Sequence, residues 1–381
     1  MPFLLYTYLF AEMAAPLVAT LIVLTGILFL GKLVPFLNII LQFHVGFADF
    51  LRICIFMLPK LLWFSFPFAA MLGVTLCFTR LSNDTEILAL KASGVTVNFM
   101  LPPVIVVALS MALLSFFNAS HLVPAGSNAM NDIFLKLARE KIEKGIVAGE
   151  FSENLGDIVL YTETLDPKTN ELGGVYLSDS REGDTPVVIM ARQGFLVPLG
   201  TMMQLTLRDG SIHRVIDELD QTITFQKYTL NIPLEIDKIS GLKVSRSNMT
   251  LPELKAKAEE HGIGSKTGAL FMAEFYKRIT LPVGCFLLSL LAFPFGLLAN
   301  TERPGIGVRL TLAVFISYYI LTSAAESLSA KLIVPVLPAL WFPNLLFAVL
   351  TVFLIFRANR EEQTIIGLPF KGVFRKIFRK K

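Results

Sequence analysis

Apolar residues dominate six stretches of this chain, near 14–37, 53–79, 97–120, 279–301, 310–325 and 332–356. About 17–25 residues cross the hydrocarbon core of a bilayer, so each stretch reads as a membrane helix, the fifth with a few flanking residues added. Four of the six carry no charge, while the first contains Lys32 and the second Lys60. Internal prolines such as Pro67 and Pro294 are tolerable where neighbouring helices cover the freed carbonyls. No Lys or Arg precedes Lys32, and the first stretch is longer than a signal-peptide core, so it is expected to be retained as a span.

Between the third and fourth stretches the pattern changes. A helical segment, Met130 to Lys144, is expected to extend the third span, and beyond it the chain shows short alternating strands separated by turn residues. Met203 to Arg208 alternates cleanly, and Asp209-Gly210 then reads as a two-residue hairpin turn. Ile223 and Phe225 share one face, whereas Tyr228, Leu230 and Ile232 continue in the opposite phase, which implies a bulge near Gln226-Lys227. Seven or so strands between 146 and 236 imply a sandwich or jelly roll. Thr250-Leu-Pro-Glu253 has the form of a capping box opening a helix that leads back to the fourth span. The expected fold class is therefore an α-helical polytopic membrane protein with six transmembrane helices and an inserted all-β jelly-roll domain. Residues 1–120 hold spans one to three with a loop at 80–96, 121–275 the β domain, 276–356 spans four to six, and 357–381 a basic tail.

Composition agrees with two solvents. The chain is 54% hydrophobic and 17% charged, against about 25% charged residues in soluble domains. Residues 120–275 carry 16 Lys+Arg and 22 Asp+Glu, a net of −6, whereas the rest carries 18 and 8, a net of +10. Basic residues in short loops mark the cytoplasmic side. With the N-terminus inside, that side collects 12 Lys and Arg, including Arg80, Lys91, Arg303, Arg309 and the tail, against six opposite even when Lys32, Lys60, Lys277 and Arg278 are counted there. Both termini are thus expected in the cytoplasm and 121–275 outside it, in the periplasm. In the tail, Phe370, Val373, Phe374, Ile377 and Phe378 share a helix face and Lys371, Arg375, Lys376, Arg379 and Lys380 the other. That suits an interfacial helix on an anionic leaflet, or a solubilising tail held loosely by charge.

Catalytic motifs are missing. There is no phosphate-binding G-x-x-x-x-G-K-[ST] loop, the nearest string being Gly262-Ile-Gly-Ser-Lys-Thr267, and no G-x-S-x-G elbow. His44, His121, His213 and His261 do not pair at metal spacing, and Cys54, Cys77 and Cys285 all lie in apolar runs as small buried hydrophobes. No metal site is expected. The loop from Arg80 to Thr96 is the most specific string: Ser82, Asn83, Asp84 and Thr85 can cap a short helix beginning near Glu86, and Gly94 can end it. Such a helix is a contact surface for a soluble partner, or an ordinary interfacial turn. Lys32 lies about eighteen residues into its span, near the outer end at about 1.5 Å per residue, where an ionisable group is a functional candidate or a residue snorkelling to headgroups. Glu326, just past the fifth stretch, is placed to pair with Lys331.

The loop RLSNDTEILALKASGVT (80–96) resembles the cytoplasmic loop of lipopolysaccharide-export permeases of the LptF/LptG type. The resemblance continues through FLGKLVPFL (29–37), LPKLLWFSFPFAAMLG (58–73) and YKRITLPVGCFLLSLLAFPFGL (276–297), and SYYILTSAAESLSAKLIVPVLPALWFPNLL (317–346) looks closer to the LptF branch. It implies a permease subunit that binds no cofactor itself, ATP and Mg belonging to a partner. Two related six-span subunits would form a heterodimer, driven by a cytoplasmic ATPase dimer of the LptB type. It would deliver lipopolysaccharide from the outer leaflet of the inner membrane to a single-span bridge protein of the LptC type; no nucleic acid is involved. The family's coupling glutamate falls on Glu86, with Asp84, Arg80 and Lys91 in the same loop. Lys32, Arg278 and Lys277 are the implied contacts for lipid phosphates; Lys60 falls where relatives often carry an acid, so no role is carried over to it. A receptor or scaffold with a ligand-binding β domain is the alternative. A secondary transporter is disfavoured by the lack of carboxylates and histidines within the predicted spans.

Overall fold

The computed structural model describes every residue except Met1, 44–45, 153–157, 167–170, 182–185, 200–201, 217–218, 234–245, 263, 299–304 and 360–381. The amphipathic pattern expected at 370–380 lies outside the described residues. The helices are α1 (Pro2–Phe43), α2 (Phe47–Asn83), α3 (Glu86–Ala92), α4 (Val97–Phe117), α5 (Val123–Gly145), α6 (Leu251–Glu260), α7 (Lys266–Leu297), α8 (Ile306–Ala330) and α9 (Val336–Asn359). A π-helical turn, Asn118–Leu122, joins α4 to α5, so the third span does continue into the expected helical extension. Six of these segments are long and apolar enough to cross a membrane: Phe3–Val34, Phe47–Asn83, Val97–Leu137, Lys266–Leu297, Ile306–Ala330 and Val336–Asn359. They outrun the apolar stretches because a helix, once nucleated, adds a backbone hydrogen bond with each residue until something stops it.

The chain divides into two compact units. The first comprises Met1–Leu33, Met57–Ser127 and Arg246–Lys381. Lipid gives helices no hydrophobic reason to associate, so small residues and buried polar bonds hold them together. Both are present around α7. A β-carbon at Gly296 would strike Phe78 of α2, and the Phe78 and Phe293 rings meet edge-on at 4.7 Å. The Tyr318 hydroxyl of α8 donates to the Asn344 side-chain oxygen of α9 at 3.0 Å, and the Asn344 amide donates to the Thr280 carbonyl of α7 at 2.8 Å. Gly284 leaves the room that the Tyr318 hydroxyl occupies. Helix α1 is different. Among its described side chains only Leu9, Met13 and Leu17, one face at four-residue spacing, are buried, with Leu17 against Gly73 of α2. From Val18 to Leu30 its side chains Ile22, Val23, Ile27 and Leu30 are all more than 60% exposed.

The second unit comprises Val34–Phe56 and Asn128–Ser245. It holds one six-stranded antiparallel sheet: β1 (Phe151–Ser152), β2 (Ile158–Asp166), β3 (Glu171–Asp179), β4 (Val187–Leu199), β5 (Met202–Ile216) and β6 (Leu219–Pro233), in sequence order. The expected all-β insert is present, with six strands among the described residues. Its core, including Ile158, Leu177, Met203, Leu205 and Leu207, is almost wholly buried, although Leu135 and Ile146 are the side chains from outside the strands in that cluster. A flat sheet would place β3 and β6 about 14 Å apart at 4.8 Å per strand. Yet Arg181, just past β3, donates to the Asn231 carbonyl of β6 at 3.2 Å. The sheet therefore rolls over its own apolar face, and a hairpin meander does the work of a closed roll.

Two expectations change here. Asp209-Gly210 is no hairpin turn: β5 runs straight through it. Nor is the phase slip at Gln226 a bulge in one strand, because the β5–β6 register is the same on both sides of it, from Met202↔Pro233 to Ile216↔Leu219. Instead every long strand shifts phase at the same level. The buried face passes from Thr162 to Leu165, Leu172 to Val175, Ala191 to Leu196 and Leu207 to Ile212, and pairing lapses at Glu163, Gly174, Arg192, Asp209 and Gln226. Each strand takes up one extra residue, so partners stay aligned while the pleat resets. At two of the five positions, Gly174 (φ 61°) and Asp209 (φ 50°), the reset uses the left-handed conformation. A β-carbon at Gly210 would run into the Met190 carbonyl of β4, so the strands close up there.

Candidate functional site

Helix α3 begins at Glu86 as expected, but the Thr85 side chain does not cap it. Thr85 precedes it in the left-handed conformation (φ 59°), and the Ala89 N–H bonds the Thr85 carbonyl at 3.0 Å. At the other end Gly94 (φ 90°) donates to the Lys91 carbonyl and Val95 to the Leu90 carbonyl, both at 3.0 Å. Those two bonds are the paired closure that a glycine just past a helix permits. Ile87 is buried and anchors α3, whereas Leu88 beside it is 67% exposed.

The side chains of this corner converge on α1. The Tyr8 hydroxyl donates to Glu86 Oε2 at 2.8 Å. Arg80, at the end of α2, bonds Glu12 of α1 and lies 3.5 Å from Asp84. Glu12 is 20% exposed and Arg80 62%. The structure thus brings Glu86, Asp84 and Arg80 together; Lys91 closes the last turn of α3. Tyr8 and Glu12 were missed. Their signal in the sequence is a tyrosine and the lone carboxylate of the first 48 residues, four apart on one helix face.

The basic residues expected to meet lipid phosphate sort differently. Lys32 and Lys60 are exposed, and Lys60 lies within electrostatic reach of Lys32, Lys277 and Glu274. Lys277 pairs with Glu326 at 2.8 Å and sits 5.7 Å above the Trp63 ring, so Glu326 is engaged from α7 and not by Lys331. Arg278 is fully buried. Its Nη1 donates to the Met249 carbonyl at 2.6 Å, its Nη2 to the Arg246 and Ser247 carbonyls at 3.2 and 3.1 Å, and its Nε faces Glu274 at 3.6 Å. Arg278 clasps the segment entering α6. The long helices do contain carboxylates: Glu12, Glu274 and Glu326 are each matched to a basic residue, as is Asp49 at the start of α2, 3.1 Å from Arg52 and 3.7 Å from Lys136, and the polar extension α5 carries acids as well.

In the second unit a groove of about 670 Å³ runs along the line where the pleat resets, bordered by Tyr161, Tyr176, Met190, Arg192, Asp209 and Phe225. Phe151 packs on Tyr161 and Tyr176 with ring centres at 4.9 and 6.2 Å.

Comparison with known proteins supplies the identity that geometry alone does not. The family of "Lipopolysaccharide export system permease LptF/LptG" matches residues 7–357. An uncharacterized protein of Rickettsia prowazekii is 24% identical over 303 residues, covering 76% of this chain and 81% of its own. The lipopolysaccharide export system permease protein LptF of Escherichia coli K12 is 21% identical over 356 residues, covering 91% of this chain and 93% of its own, and that of Shigella flexneri matches equally. These identities favour the LptF branch only weakly. With six membrane-length helices and an inserted β domain, this integral membrane protein belongs to the LptF/LptG family of lipopolysaccharide export permeases.

Proposed function

We propose that the chain is one half of an ATP-driven lipopolysaccharide exporter, pairing with a second six-span subunit and driven by a separate cytoplasmic ATPase dimer. In this reading it lies in the inner membrane with both termini cytoplasmic and the β domain periplasmic. ATP binding closes the two halves, lifts the lipid from the outer leaflet and passes it through the β domain toward a single-span bridge protein. The family places the coupling contact in the loop that folds here as α3. The observation that carries the reading is the form of α3: a helix anchored by buried Ile87, with the Glu86 carboxylate at its start and Leu88 exposed beside it. A carboxylate beside an exposed leucine suits a groove offering basic donors and an apolar pocket. No other element among the described residues offers that combination at the end of a span bearing Arg80.

Lipid phosphates at the outer rim fall to Lys32. It is exposed, on a helix whose outer half has no buried side chain among the described residues, and an ammonium is a good point-charge partner for phosphate. Lys277 and Arg278, also expected there, are committed to Glu326 and to backbone carbonyls, so they shape the rim rather than offer charge to it. The rolled sheet supplies an apolar interior for acyl chains.

Purification from membranes in mild detergent tests this directly. The wild-type chain is expected to bring down a six-span partner and an ATPase, and Glu86→Arg to lose the ATPase while keeping the partner. A stable complex without any ATPase from the wild type refutes export and supports a receptor or scaffold.

A further inference from the structure

Two polar bonds tie α1 to the α3 corner, and the export mechanism above uses neither. Tyr8 holds Glu86 and Glu12 holds Arg80. Both partners on α1 lie at its N-terminal end, beside the buried face formed by Leu9, Met13 and Leu17. Leu17 is the tightest point: a β-carbon at Gly73 would sit 2.7 Å from Leu17 Cβ, so α1 and α2 cross there almost backbone to backbone. Pro16 beside it withholds one N–H from the Glu12 carbonyl, yet the helix runs through without interruption. Past that crossing none of the side chains from Val18 to Leu30 is fully buried, and Lys32 stands at the far end.

We infer that Tyr8 and Glu12 are positioning residues that clamp α3 to α1, making α1 the rod that carries movement of α3 to the lysine-bearing end of the membrane unit. The lengths favour transmission. Tyr8 lies nine residues before Leu17 and Lys32 fifteen after it, about 14 Å and 23 Å along a helix rising 1.5 Å per residue. A displacement of about 1 Å at Tyr8 becomes about 1.7 Å in the opposite sense at Lys32 if α1 turns about the crossing as a rigid body. No fully buried side chain resists that turn among the described residues of the outer half of α1. The clamp does not compete with docking. A carboxylate has about four acceptor sites, and Tyr8 uses one of them on Glu86. The two clamps also differ in kind. Tyr8 fixes the direction of the Glu86 carboxylate, while Glu12–Arg80 fixes the end of α2 from which α3 departs.

This inference rests on the docking role of Glu86, so its test reads docking and transmission separately. The full complex is purified and reconstituted in liposomes containing lipopolysaccharide. ATPase retained by the complex reports docking, and lipopolysaccharide released per ATP hydrolysed reports transmission. Tyr8→Phe keeps the ring and the fold and removes the bond. It is expected to retain the ATPase and to lower release per ATP by about threefold. Glu12→Arg and Arg80→Glu are each expected to lower release per ATP by fivefold or more, and the double swap to restore it to within twofold by rebuilding the pair. Release per ATP at the wild-type ratio in Tyr8→Phe and in both single charge variants overturns the inference, as does a double swap that rescues nothing. A wild-type complex that retains no ATPase defeats the docking reading itself, and the inference falls with it.

Discussion

Arg278→Lys separates a structural arginine from a phosphate ligand. The guanidinium is fully buried and its two terminal nitrogens serve three carbonyls, at 2.6, 3.1 and 3.2 Å, while Nε faces Glu274. Lysine keeps the charge but has one nitrogen on a flexible stem, and cannot reach carbonyls spread across a planar fork. Hydrogen bonds to a charged group contribute about 1.5–3 kcal/mol each, so losing one of the three costs about 1.5–3 kcal/mol. Arg278→Met removes the charge as well. It strands the Glu274 carboxylate and three acceptors, and breaking a buried pair in this way costs about 3–5 kcal/mol. At roughly 2–4 °C per kcal/mol for a unit of this size, Arg278→Lys should lower the unfolding midpoint on the order of 3–12 °C. The assay is thermal unfolding in detergent with a thiol-reactive dye, since Cys77 and Cys285 are buried and report when the helices part. The bridge protein and ATPase are left out, so binding does not mask the loss. An unchanged midpoint in Arg278→Lys would refute the clasp and return Arg278 to the list of lipid ligands.

Other outcomes follow from single contacts. Gly284→Ala puts a methyl group where the Tyr318–Asn344 bond depends on space around the Tyr318 hydroxyl, and should cost about 1–3 kcal/mol by the same dye assay; an unaltered midpoint would show that the contact yields. Lys32→Glu should weaken lipopolysaccharide crosslinking to α1, whereas Lys277→Gln should mainly lower thermal stability, because Lys277 already serves Glu326. Asp179 accepts from Arg181 Nε, Nη2 and backbone N–H, bonds that hold its carboxyl below the usual carboxylate range. A depressed value means stability present above the unfolded-state pKa and lost as pH falls through the folded-state one. Hydrogen exchange along β3 should therefore quicken as pH drops below about 4, after correction for intrinsic rates, and Asp179→Asn should flatten that dependence. Gly210→Ala, which forces a β-carbon against the Met190 carbonyl, should speed exchange in β4 and β5 more than elsewhere in the sheet.

The six spans and the β insert were legible because their signals are local: apolar runs for one, period-two alternation for the other. Span ends were not, since backbone hydrogen bonds carry helices past the apolar stretch and thereby take in Glu12, Glu274 and Glu326. Asp209-Gly210 misled for a definite reason. Residues that tolerate the left-handed conformation serve both a hairpin turn and a pleat reset, and only the neighbouring strands, each resetting at the same level, tell the two apart. In the candidate site, Glu86 and the helix it opens could be read from the string around it. Its partners could not. Tyr8 lies 78 residues away and Glu12 68 residues from Arg80, both ahead of the first apolar run. The basic rim shows the same limit: Lys32, Lys277 and Arg278 look alike as sequence, and only tertiary contacts reveal that Lys277 is paired and Arg278 enclosed.

Coupling between α3 and lipid at the outer rim can be measured in one experiment. A photocrosslinking residue at Leu30, which is 63% exposed and two positions before Lys32, is placed in the full complex within cell membranes. Crosslinks to lipopolysaccharide that change with ATP, and lose that dependence in Glu86→Arg, are the predicted result. Crosslinks that ignore both ATP and Glu86, or none at all from an intact complex, would contradict it.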